Sequence, residues 1–61
     1  MNKNVKRIKV YDLDMNILGK TSIISSFPLD SMDSFVLAAR QVDSWCILNN
    51  LEYDNVFWDY A

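Results

Sequence analysis

The sequence predicts an α+β fold: a small ββαβ domain in which a three-stranded antiparallel sheet carries one helix packed on one face. Three observations point there. Residues 5–27 alternate apolar and polar side chains on either side of an Asp- and Asn-rich turn. Residues 31–48 space their apolar side chains for a helix, and residues 53–60 are aromatic without glycine or proline.

Residues 5–13 read as the first strand. Ile8 and Val10 fall on one face and Arg7, Lys9 and Tyr11 on the other, a period of two in β-branched-rich sequence. Residues 12–16 form the turn, where Asp and Asn side chains bond their own backbone and Asn16 tolerates the left-handed conformation. Residues 18–27 return, with Thr21, Ile23 and Phe27 on one face and Ile24 on the other. Gly19, the one glycine of the chain, marks a bulge or a close backbone approach. Pro28 has no N–H to donate and stops the ladder.

Asp30 or Ser31 caps the helix of residues 31–48, and Asp33 sits near the positive end of its dipole. On a 3.6-residue wheel Met32, Phe35, Ala39, Val42 and Cys46 line the core stripe, flanked by Val36, Ala38 and Trp45. Asn49 and Asn50 end the helix, because Asn accepts the left-handed position found there. Residues 53–60 follow as a strand with Val56, Trp58 and Tyr60 on one face and Tyr53 and Phe57 on the other. A short helix from Glu52 is the alternative, since it also brings Val56 and Tyr60 together.

Sixty-one residues make a single domain, 1–61, and a chain of this size buries only about 60% of its unfolded surface. Its core then supplies no more than about 3–5 kcal/mol net. Cys46 is the one cysteine and there is no histidine, so neither a disulfide nor a conventional metal site adds to that. A partner chain is one remaining source of stability. No run of eighteen apolar residues spans a membrane and no apolar signal segment follows the basic start, so the cytoplasm is the expected compartment.

Net charge is −2, which argues against a general nucleic-acid binder. The charges are also divided. Lys3, Lys6, Arg7, Lys9 and Lys20 outnumber Asp12 and Asp14 in residues 1–20. Arg40 stands alone later against Asp30, Asp33, Asp43, Glu52, Asp54 and Asp59. Such a dipole steers encounters with a charged partner.

Chemistry is thinly represented. Asp12, Asp14 and Asn16 copy the first ligand positions of a calcium loop, but Ile17 stands where the glycine belongs and Ile23 where the bidentate glutamate belongs. A plain hairpin turn is the reading. Without histidine, acid–base work falls to groups that need strongly shifted pKa values. Cys46 lies on the apolar stripe as a small hydrophobe, and one glycine makes no phosphate loop. The sequence therefore predicts no enzyme, no catalytic residue, no metal and no cofactor.

Docking is the expected mode of action. One helix covers one sheet face, so some of Tyr11, Tyr53, Phe57, Trp58 and Tyr60 must turn outward or meet another chain. Trp58, Tyr60 and Tyr53, ringed by Asp59, Asp54 and Glu52, form the candidate partner-binding surface for a basic protein. Leu37, Gln41 and Leu48, opposite the core stripe, form an alternative partner face. Arg7, Lys9 and Tyr11 form an alternative nucleic-acid face, with phosphates on the cations and bases on the ring. A homodimeric structural subunit, paired through a sheet edge or through Leu37 and Leu48, is a third reading.

The order of leading hairpin (residues 5–27), single helix (31–48) and closing strand (53–60) resembles a group of very small bacteriophage host-takeover proteins. These include the Dmd-type antitoxins, the coliphage inhibitor of host RNA polymerase and several anti-CRISPR proteins. The resemblance implies a non-enzymatic, phage-encoded inhibitor in the host cytoplasm that binds and blocks a bacterial nuclease, polymerase, toxin or defence complex. The acidic, aromatic C-terminus departs from that pattern and leaves open which face binds.

Overall fold

The computed structural model describes residues 4–61; residues 1–3, including the Lys3 of the basic segment, lie outside the described residues. The order is β1 (Val5–Tyr11), β2 (Ile17–Ile24), α1 (Met32–Leu48), a 3₁₀ turn (Tyr53–Asn55) and β3 (Phe57–Tyr60). The sheet has the order β2-β1-β3, antiparallel throughout, so the fold is α+β of the ββαβ kind.

β1 takes the centre because it is the strand with a continuous buried face. Ile8 and Val10 are fully buried, whereas Arg7 is exposed. The hairpin is shorter than its expected span of 5–27. β2 ends at Ile24, and the Ser25 hydroxyl, by accepting the Phe27 N–H at 3.0 Å, turns the chain before Pro28. Phe27 therefore leaves the sheet and is 43% exposed. In the turn, Met15 and not Asn16 adopts the left-handed conformation, at φ 66°. The Asp12 carboxylate holds the loop by accepting the backbone N–H groups of Asp14 and Asn16, both at 2.9 Å.

Gly19 fulfils both of its expected roles. The β1–β2 register slips beside it, pairing Val10 with Gly19 but Tyr11 with Ile17. The ring of Trp45 also occupies the space a side chain at Gly19 would need.

Ser31 caps α1, its hydroxyl accepting the Ser34 N–H at 3.1 Å. The helix is turned from the expected stripe. Ser34, Ala38, Val42 and Cys46 face the sheet, whereas Met32 is 73% exposed and Phe35 51%. Small side chains at 34 and 38 let the helix approach a sheet whose inner face is bulky, and that outweighs the wish to bury Phe35. After Cap residue Asn49, Asn50 takes φ 58°. Its N–H reaches the Ile47 carbonyl and the Leu51 N–H reaches that of Cys46, closing the helix end in a Schellman arrangement.

The last segment divides where one strand of residues 53–60 was expected. Asn55 N–H bonds Glu52 O at 2.9 Å, making a 3₁₀ turn, and the strand begins only at Phe57. Val56, Trp58 and Tyr60 do face the core and Phe57 faces away. Tyr53, in the turn, joins the core side instead of sharing a face with Phe57.

Candidate functional site

β3 is an edge strand, and its aromatic side chains meet the N-terminal half of α1. Trp58 stacks on Phe35 with ring centroids 5.4 Å apart and meets Tyr60 edge-on at 5.8 Å. The Trp58 indole Nε1 donates to Tyr53 Oη at 3.3 Å, and the Tyr60 hydroxyl pairs with buried Ser34 Oγ at 3.3 Å. The rings are thus fixed by packing at their apolar bodies and by hydrogen bonds at their polar ends. Trp58, Tyr60 and Tyr53 are half-buried: each completes the core with one side and leaves the other accessible.

Between them lies a shallow groove of about 330 Å³, lined by Phe35, Tyr53, Val56, Phe57, Trp58, Asp59 and Tyr60. Four of the six expected partner-binding residues meet here: Trp58, Tyr60, Tyr53 and Asp59. Glu52 and Asp54 do not. They line a neighbouring hollow with Arg40 and Asp43, and Tyr53 forms the wall between the two. Phe35 is the groove residue that the sequence reading consigned to the core. Its position on the flank of the true stripe, beside Ser34, is the signal that identifies it.

The edge itself is partly closed. Ala61 N–H donates to Arg7 O at 2.8 Å, so with antiparallel alternation the backbone groups of Phe57 and Asp59 also point to β1. Those of Trp58 and Tyr60 point outward. Asp59 Oδ1 accepts the outward Tyr60 N–H at 2.8 Å, so one edge donor is satisfied by a charged side chain.

The alternative partner face is not a unit. Leu37 and Gln41 share a depression with Ile24 and Arg40 beside β2, while Leu48, 83% exposed, lies apart from it. Gln41 is committed, donating from Nε2 to Thr21 Oγ1 at 2.8 Å and tying the helix to the sheet. Arg7, Lys9 and Tyr11 do share a face, the one turned from the helix.

Hydrogen bonds from Asn16, the backbone amide first, hold the Asp12 carboxyl below its ordinary value. Those bonds belong to the turn. Among the described residues no group of three or more His, Cys, Asp or Glu is arranged to hold a metal ion. Burial pushes the Cys46 thiol pKa up, with the Asp43 carboxylate adding to it, which disfavours the reactive thiolate. Among the described residues no helix is long and apolar enough to cross a membrane. No protein-family model, curated protein or solved structure matches this chain.

Proposed function

We propose that this chain is a small non-enzymatic inhibitor that acts by occupying a bacterial nuclease, toxin or defence complex, and that it is phage-encoded. The observation that carries the reading is Phe35. It stacks on Trp58 yet remains 51% exposed, and Met32 and Leu29 expose 73% and 49% of their area. Rigid aromatic area left open beside a groove is the usual anchor of a protein interface. Asp59 lines the groove and Glu52 and Asp54 line the hollow beyond Tyr53, and these acids favour a partner that presents Lys or Arg, such as a surface that normally holds nucleic acid. The phage assignment rests on the resemblance in element order and size.

The test is capture from bacterial lysate by the wild-type chain, by Phe35→Ala and by Glu52→Lys/Asp54→Lys, with the retained protein identified and assayed. The expected result is one partner whose activity the wild type blocks and which both variants lose. Identical retention by all three proteins sinks the reading, as does turnover of a substrate by the chain itself.

A further inference from the structure

We propose that the sheet face turned away from α1 binds a single strand of RNA or DNA, with bases stacked on Tyr11 and Phe57 and phosphates held by Arg7, Lys9 and Lys20. The site lies across the sheet from Phe35 and Trp58 and meets the groove along β3, where Phe57 and Asp59 belong to both; it does not rest on the inhibitor reading.

The register assembles it. Tyr11 pairs with Phe57 of β3, and Lys9 is flanked by Lys20 of β2 and Asp59 of β3. Arg7 pairs with Ser22. Side chains directly opposed across antiparallel strands lie about 4.5–5.5 Å apart at Cβ, so each row is contiguous. The two rings form a platform beside the cations, and Phe57 is 49% exposed.

Charge selects the occupant. The chain is acidic overall, with eight carboxylates against six basic residues. On this face the balance is reversed, because among the described residues paired there three cations, Arg7, Lys9 and Lys20, stand against one acid, Asp59. Lys6 is turned to the Ser25 carbonyl instead. Lys9 and Lys20 oppose each other directly, an arrangement that costs the sheet stability. An anion between them removes that cost. Rings beside cations match a strand whose bases are unpaired, because in a duplex the faces are hidden.

Fluorescence anisotropy with labelled ten-nucleotide oligouridine and oligothymidine tests this, with circular dichroism of every variant as the folding control. Three phosphate contacts give a slope of log affinity against log salt of about −2, or roughly twentyfold weaker binding for a fourfold rise in salt. Lys9→Gln/Lys20→Gln, which keeps the strand and removes both charges, flattens most of that slope. Tyr11→Leu keeps apolar area without the ring and weakens binding by about fivefold or more at every salt concentration. Phe35→Ala leaves oligonucleotide binding unchanged, so the two sites can fail separately. Three results overturn the proposal: no binding at high micromolar protein in low salt, equal binding of a duplex or a polyglutamate peptide, or wild-type behaviour of the double Gln variant.

Discussion

The indole of Trp45 lies against the backbone of Gly19, so that a methyl group built on Gly19 would overlap Cζ2 and come to 3.1 Å from Cη2. The glycine is required by this approach and not by its own conformation, since no glycine here has a positive φ. The contact locks the C-terminal half of α1 onto β2 where the register slips.

Gly19→Ala is therefore expected to destabilise by about 1–3 kcal/mol, the usual cost of overpacking a filled site. In a domain of this size that lowers Tm on the order of 10 °C. Thermal unfolding followed by circular dichroism measures it. In a Trp45→Leu background the same change should cost much less, and a coupling near zero in that double-mutant cycle would refute the contact.

A second pair has the opposite logic. Ser34 is fully buried and its hydroxyl has the Tyr60 Oη at 3.3 Å. Tyr60→Phe leaves that hydroxyl in the core without its ring partner, at about 1–3 kcal/mol, while Ser34→Ala removes the group that needs pairing and costs less. The combined variant should be more stable than Tyr60→Phe alone. Denaturant unfolding of the three proteins decides it: simple additivity means the pair contributes nothing.

What the sequence disclosed follows from how local each cause is. The alternation of Ile8 and Val10 against Arg7 and Lys9 needs only the period of a strand, and Pro28, Ser31 and Asn50 act through their own backbone chemistry. The facing of the helix is not local. Its apolar arc runs from Met32 to Trp45, wider than one stripe, and the centre is chosen by which positions are small enough to approach Trp58 and Tyr60. Ser34 and Ala38 win that choice and Phe35 is displaced to the rim, which is how the groove escaped the periodicity. Tyr53 misled for a related reason. A 3₁₀ turn of three residues has no periodicity to read, and its ring settles on the core side by bonding Trp58.

Asp12 gives the fold a measurable acid response. Its carboxyl is held below the ordinary 3.8 chiefly by the Asn16 N–H, so the folded state prefers the charged form. The contribution is present above that ordinary value and is lost as pH falls through the lower, folded one. Asp12→Asn keeps an acceptor for the turn but carries no charge. It should be less stable than wild type at neutral pH, with the difference closing under acid. Urea midpoints across the acid range test this, and a constant gap would show that the charge is irrelevant.

The groove requires that fold and docking be separated, and Trp58 and Phe35 do so. Trp58 packs against the core, stacks on Phe35 and donates to Tyr53, so Trp58→Ala removes contacts on three sides. Large-to-small changes of buried aromatics cost about 3–5 kcal/mol, comparable to the net core stability of a domain this small. Trp58→Ala is therefore expected to unfold most of the population, and lost docking would carry no information. Phe35 has half its area in solvent already, and its truncation is expected to cost only about 1 kcal/mol, in the range of ordinary single substitutions. A Phe35→Ala protein that melts within a few degrees of wild type and no longer retains its partner identifies the groove as the anchor. Retention of the partner by that folded variant moves the anchor elsewhere on the surface.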